Sequence, residues 1–181
     1  MRYKYKIAER NGKGKEYIIN TNIIIFEGEY LNGKRNGKGK EYYSNGILLF
    51  DGEYLNGLRH GKGIEYYYKG NLKIKFKGEY LNGKKWNGKG FNKKGKKDFE
   101  IMDGKGKVKE YFSDDNLKFE GEYINGERNG KGKEYYSNGE LKFEGEYLNG
   151  KRNGKGKEYN YFGELKYEGD YLNGNRTMMI D

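Results

Sequence analysis

The sequence predicts an all-β fold, an elongated single-layer twisted antiparallel β-meander of consecutive hairpins. Three observations point there. A Gly-Lys-Gly signature recurs at Gly12, Gly37, Gly61, Gly88, Gly104, Gly130 and Gly154, in steps of 25, 24, 27, 16, 26 and 24 residues, and a period of that length marks stacked supersecondary units. Within a period, a segment such as Phe143-Glu-Gly-Glu-Tyr147 alternates aromatic or glycine residues with acidic ones, the two-residue period of a half-buried strand. Asn138-Gly139, flanked by Tyr135-Tyr136 and Leu141, is a strong hairpin signal and reads as a two-residue type I′ turn.

The units run in order as one repeat domain over residues 1–181. A worn first unit, 1–25, aligns Tyr3 to Gly14 with Gly28 to Gly39, keeps a loop at Lys6 to Asn11 and turns at Asn20-Thr-Asn22. Regular units follow at 26–49, 50–75 and 76–98. The second of these has a hairpin two residues longer, closing over Gly70-Asn71 with Tyr67 opposite Ile74. A shortened unit, 99–118, joins Phe99-Glu-Ile-Met102 to Lys105-Gly-Lys-Val108 through an Asp103-Gly104 turn, which sets Phe99 opposite Val108 and Ile101 opposite Gly106. Regular units resume at 119–142 and 143–166, and a half unit occupies 167–181. About 14 or 15 strands are expected, joined by short connections.

The turn at Asn138-Gly139 fixes a register. It sets Tyr136 against Leu141, Lys133 against Glu144, Gly132 against Gly145, Lys131 against Glu146 and Gly130 against Tyr147. Opposite charges then pair on one face, and on the other each Tyr lies beside a glycine over which its ring can fold. Lys40 with Asp51 and Lys38 with Glu53 repeat the scheme. Leu148-Asn-Gly-Lys-Arg-Asn153 reads as a six-residue loop before the returning strand. Glu134, opposite Phe143, falls on the aromatic face and fits nothing in this scheme.

Composition narrows the function classes. Of 181 residues 33% are hydrophobic and 35% charged, a balance that leans toward disorder, but 20 Tyr and 9 Phe on a strict period argue for order. Without cysteine the chain has no disulfide framework, thiolate metal site or thiol nucleophile, which fits a reducing compartment. Met1 to Ile7 holds no apolar core of a signal peptide, and no run approaches a membrane span. A cytoplasmic protein, at most peripheral to a membrane, is expected. The net charge of +10 favours acidic partners, whether protein, nucleic acid or lipid. Lysines spread over every repeat also keep a large sheet soluble and its edges blunt.

The pattern Phe-Glu-Gly-Glu-Tyr-Leu-Asn-Gly-Lys-Arg-Asn-Gly-Lys-Gly resembles the MORN repeat. Phe26, Gly28, Tyr30, Gly33, Gly37 and Gly39 occupy the aromatic and glycine positions of that repeat in the first regular unit, and units from Phe50, Phe119 and Phe143 match alike. At Phe76 the match is near, with Trp86 adding a residue before Gly88. The second half, Lys-Glu-Tyr-Tyr-x-Asn-Gly-x-Leu-Lys, resembles the MORN-variant repeats of toxin–antitoxin-associated proteins. The resemblance implies a protein-interaction and dimerisation scaffold or a binder of acidic phospholipids.

No set of residues points to catalysis, a cofactor or a metal. Gly33-Lys-Arg-Asn-Gly-Lys-Gly39 fails the spacing of a phosphate-binding loop and lacks its Ser or Thr. Carboxylate pairs such as Glu27 with Glu29 or Glu144 with Glu146 recur in every unit opposite lysines, so none is the distinguished pair that acid–base chemistry needs. The one histidine, His60, stands where other units have Asn36, Asn129 or Asn153. A non-catalytic scaffold is the leading expectation, binding protein partners along the rings of Tyr30, Tyr54, Tyr80, Tyr123, Tyr147 and Tyr171, with Trp86 as an anchor and self-association through open end strands. The alternative is an anionic membrane surface met by loop residues Lys34, Arg35, Lys84, Lys85, Lys93, Lys94, Lys96, Lys97, Lys151 and Arg152. Nucleic-acid binding, with bases stacked on Tyr, ranks below both, and toxin neutralisation, which the resemblance to the variant repeats implies, is a special case of the scaffold.

Overall fold

The computed structural model describes residues 3–6, 10–68, 72–112, 114 and 116–177, the segment 3–6 by its backbone alone. The chain divides into two compact units, Met1–Lys97 and Asp98–Asp181. The first carries β1 (Tyr3–Lys6), β2 (Gly12–Ile18), β3 (Ile24–Leu31), β4 (Lys34–Tyr42), β5 (Leu48–Leu55), β6 (Leu58–Tyr66), β7 (Ile74–Leu81) and β8 (Lys84–Phe91). β9 (Lys97–Ile101) begins at the division. The second unit continues with β10 (Gly106–Tyr111), β11 (Leu117–Ile124), β12 (Glu127–Tyr135), β13 (Leu141–Leu148), β14 (Lys151–Tyr159), β15 (Leu165–Leu172) and β16 (Asn175–Arg176). The strands form two antiparallel meanders in strict chain order, and the described residues hold no helix. The sequence-derived expectations for Ile7 to Glu9, for Gly70-Asn71 and for the tail from residue 178 lie outside the described residues.

Two turns exchange the roles that sequence assigns them. Leu148 to Asn153 is not a loop of six residues, because Leu148 pairs with Lys151 and Tyr147 with Arg152. Only Asn149 (φ 48°) and Gly150 (φ 81°) connect the strands, both left-handed, as a type I′ turn requires. The surplus length is absorbed inside β14 at Asn153-Gly154, where Gly154 takes φ 95° and the ladder shifts before Gly145 meets Gly156. Conversely, Asn138-Gly139 is not a type I′ turn, since only Gly139 has a positive φ, 92°. Its N–H bonds the Tyr136 carbonyl at 3.0 Å and the Tyr136 N–H bonds Glu140 at 2.8 Å, the three-residue loop that ends in a left-handed glycine.

Tyr135, not Tyr136, therefore pairs with Leu141, and a bulge between Glu134 and Tyr135 returns the register to the expected pairs. Lys133 meets Glu144, Gly132 meets Gly145, Lys131 meets Glu146 and Gly130 meets Tyr147. The same slip puts Tyr66 in place of Tyr67 opposite Ile74. In the shortened unit Asp103 (φ 50°) and Gly104 (φ 71°) do form the tight turn, with Met102 bridging Lys105. Gly106, not Gly104, then holds the place of Gly130, because it pairs with Tyr123 as Gly130 does with Tyr147.

The core is one face of each sheet. In the second unit Tyr123, Phe119, Tyr147, Phe143 and Tyr171 meet edge to face, with centroids 5.1–6.1 Å apart. Phe lies closest over most of the paired glycines, with Tyr beside it: a Cβ on Gly132 would sit 2.6 Å from the Phe119 ring and 3.1 Å from that of Tyr147, one on Gly145 2.7 Å from the Gly156 Cα, and at Gly169 the covering ring is Tyr167. A cation closes the other side of the covering rings, Lys85 over Phe76 at 4.9 Å and arginine over the rest. The guanidiniums of Arg128 and Arg152 lie 4.1 Å from the centroids of Phe119 and Phe143, as Arg35 and Arg59 lie 4.0 and 4.1 Å from Phe26 and Phe50. The ring faces turned away from the sheet are thus covered, and Phe26, Phe50, Phe119 and Phe143 are fully buried.

Candidate functional site

Sequence gave Glu134 no role, yet it belongs to the most regular polar feature of the fold. Glu41 and Glu134 follow Gly-Lys-Gly-Lys and Glu110 follows Gly106-Lys-Val-Lys109; each lies opposite a Phe and collects the donors of neighbouring strands. Glu134 accepts from the Tyr147 hydroxyl at 2.8 Å and from Arg152 at 3.0 and 3.2 Å, with Arg128 at 3.5 Å. Glu41 does the same with Tyr54, Arg59 and Arg35, and Glu110 with Tyr123 and Arg128. Burial alone would raise these carboxyls. Hydrogen bonds and charge from the arginines outweigh it and hold all three below the ordinary carboxylate range.

That ladder accounts for most residues that sequence offered as an interaction surface. Tyr30, Tyr54, Tyr80, Tyr147 and Tyr171 are buried and Tyr123 half-buried, each donating its hydroxyl to a ladder glutamate. Arg35 and Arg152 are in strands β4 and β14, ion-paired to Glu16 and Glu134, and Lys85 in β8 reaches Glu65 at 2.8 Å. None of these three side chains stands in a loop. Lys34, Lys84 and Lys151 open the same strands and are exposed, as are Lys93, Lys94 and Lys96 in the turn after β8 and Lys97 at the start of β9. Trp86 lies within β8, half-buried, not in a loop. His60 accepts the Asn82 N–H at Nδ1 as Asn36 does that of Asn56 at Oδ1, which explains why the two residue types share one repeat position.

The opposite face of the second unit is open. A groove of about 910 Å³ runs over β10 to β15, floored by backbone at Gly121, Gly132, Gly145, Gly156 and Gly169 and flanked by six lysines and seven carboxylates. The first acid of a Glu-Gly-Glu accepts from a tyrosine hydroxyl, as Glu120 does from Tyr135 at 2.7 Å, and in Glu27 and Glu144 a lysine joins it. Glu144 accepts from the Tyr159 hydroxyl at 3.0 Å and pairs with Lys133 at 3.5 Å. Its counterpart in the first unit, Glu27, is held below the ordinary range by Tyr42, whose hydroxyl is itself pushed up to about 12 by burial and by that carboxylate. The second acid serves the backbone: Glu146 accepts the Lys155 N–H at 3.0 Å, across a bulge where a Cβ on Gly154 would lie 2.1 Å from Oε2.

Comparison with known families follows the same period. The family model of the MORN repeat matches residues 26–47, 50–72, 119–140 and 143–160, and that of the MORN repeat variant matches 105–125. The chain belongs to the MORN-repeat family. MORN repeats generally serve as scaffolds that bind proteins or membranes, and the all-β MORN array is a non-enzymatic repeat type. No curated protein matches this MORN chain. Among the described residues no helix is long and apolar enough to cross a membrane.

Proposed function

We propose that this MORN array is a non-catalytic scaffold that binds a protein partner on the polar groove of the second unit, with self-association as part of that role. The observation that carries the proposal is the contrast between faces. The aromatic face is closed by arginine and glutamate, whereas the opposite face offers a long concavity lined by bare strand backbone and the stems of lysine and glutamate. A surface of that kind gives a partner both apolar contact and directed polar bonds. Near balance of the groove's charges also favours a protein over a polyanion, whose phosphates would meet the carboxylate rows.

The test places a photo-crosslinking residue at Lys131 or Lys155 in the groove and at Arg176, which lies over the Tyr167 ring on the other face. Irradiation in cells followed by mass spectrometry is expected to give polypeptide adducts from the groove positions and few from Arg176. Lipid or nucleic-acid adducts, or equal yields from both faces, overturn the proposal. Light scattering over micromolar concentrations tests self-association; a strictly monomeric species removes that part.

A further inference from the structure

Two columns of lysine line the groove, and they differ. Lys109, Lys133 and Lys157 are engaged, bonding Asp98 at 3.2 Å, Glu144 at 3.5 Å and Glu168 at 3.2 Å. Lys107, Lys131 and Lys155 lie opposite Glu122, Glu146 and Asp170 in the ladder, yet among the described residues none of the three has an ion pair within 4.0 Å. The cause is local. Glu146 turns away from Lys131 to accept the Lys155 N–H on the next strand. Glu122 takes the same attitude, its Oε2 lying 2.2 Å from where a Cβ on Gly130 would stand. Asp170 is one methylene shorter and does not come within 4.0 Å of the Lys155 ammonium. The groove's acids are therefore largely satisfied from within, while one row of ammonium groups presents free donors to whatever enters.

Lys107, Lys131 and Lys155 sit on alternate strands, so at ~4.8 Å per strand they recur about 9.6 Å apart. We infer that the groove recognises an acidic polypeptide segment that presents single carboxylates at about 10 Å intervals, one to each of these lysines. The inference rests on the groove being the binding surface, as proposed above, and names the chemistry of its occupant. Spacing separates the occupants. A helix returns a side chain to the same face every seven residues, about 10.5 Å, close to the lysine interval, whereas same-face residues of a strand recur at ~6.6 Å and fall out of step. A nucleic-acid duplex carries a charge about every 1.7 Å of its axis and would press phosphates against Glu144 and Glu168.

The experiment titrates a fluorescent peptide of three heptads, with Glu at every seventh position of an otherwise neutral helix-forming sequence, into the full chain and reads anisotropy. The control peptide carries Gln at those positions. Lys107→Gln, Lys131→Gln and Lys155→Gln are expected to weaken binding up to about fivefold each, and the triple variant on the order of a hundredfold. Lys34→Gln, in the first unit and not among the residues that line the groove, leaves binding unchanged. All these side chains are exposed, and circular dichroism checks that the variants fold. The inference is overturned if the triple variant binds the Glu peptide as the parent does, if the Gln peptide binds equally well, or if the triple variant loses phosphatidylserine vesicles or an oligonucleotide while neither peptide binds. If a partner crosslinked from the groove is retained by the triple variant, the acidic-segment inference fails and the scaffold reading stands. If no polypeptide crosslinks from the groove, the scaffold reading itself fails.

Discussion

Replacing Glu41 by Ala removes a carboxylate that four donors share. Glu41 accepts from the Tyr54 hydroxyl at 2.8 Å, from Arg59 at 2.6 and 3.3 Å and from Arg35 at 3.2 Å. Arg35 keeps its two bonds to Glu16, at 2.7 and 2.8 Å. Arg59 keeps none, because Glu41 is its one bonded carboxylate among the described residues. Exposed pairs contribute about 0–1 kcal/mol, and removing one member of a buried pair costs about 3–5 kcal/mol. The Glu41 and Arg59 side chains are 17% and 20% exposed, so the cost lies toward the buried limit, about 3 kcal/mol. With a urea slope of roughly 1.5 kcal/mol/M for a unit of this size, the midpoint falls by about 2 M. Trp86 is the only tryptophan and sits in the same unit, so its fluorescence reports that unit. Glu53→Ala is the comparison. It loses one exposed bond to the Lys62 N–H, at 3.1 Å, worth about 0.5–1 kcal/mol. A Glu41→Ala midpoint no lower than that of Glu53→Ala would refute the ladder as a source of stability.

Three further outcomes follow from the same geometry. Gly145→Ala sets a Cβ 2.6 Å from the Lys155 carbonyl and 2.7 Å from the Gly156 Cα, backbone that cannot retreat, so urea unfolding should show a loss of about 1–3 kcal/mol where an ordinary strand gains from this change. Asn149→Ala must hold φ 48° without a side chain that tolerates it, about 1 kcal/mol. Asn138→Ala loses only the bond to the Glu140 N–H, at 3.1 Å, and should cost less; the reverse order of midpoints would contradict the turn assignment. Acidification should unfold the protein from the ladder outward. Glu41, Glu110 and Glu134 are held below their ordinary range, and Glu65 at about 2, where the charges of Lys85 and Lys75 outweigh its burial. A depressed native value contributes stability that is complete above the unfolded carboxylate value, ~4.3, and is lost as pH falls through the native one. The urea midpoint should hold steady from neutrality to about pH 5 and drop below that, and Glu41→Gln should flatten the drop.

Much of the fold was legible because glycine and aromatic residues obey a strict period. The pairs Lys133 with Glu144 and Gly132 with Gly145 follow from alternation alone and survive an error of one residue at the tip. The turns were not legible, because both connections of a unit carry Asn-Gly. What separates them is whether the next residues extend the ladder, and the pair Leu148 with Lys151 does so only because Asn153-Gly154 takes up the excess length. The ladder was hidden by treating Arg152 as a loop cation and Glu134 as a misfit. A signal was there: Arg35, Arg59, Arg128 and Arg152 stand six residues before Glu41, Glu65, Glu134 and Glu158, a fixed offset that a solvated charge does not need. The groove lay beyond reach, since only coordinates show that Glu146 abandons Lys131 for a backbone N–H.

The central claim is that the polar groove, not the aromatic face, is where this array meets its partner. Because the chain has no cysteine, single substitutions Lys131→Cys, Lys155→Cys and Arg176→Cys give one thiol each, and maleimide labelling can be timed with and without the crosslinked partner. The account predicts slowed labelling at the two groove positions and an unchanged rate at Arg176→Cys. Protection at Arg176→Cys with none at Lys131→Cys or Lys155→Cys would contradict it.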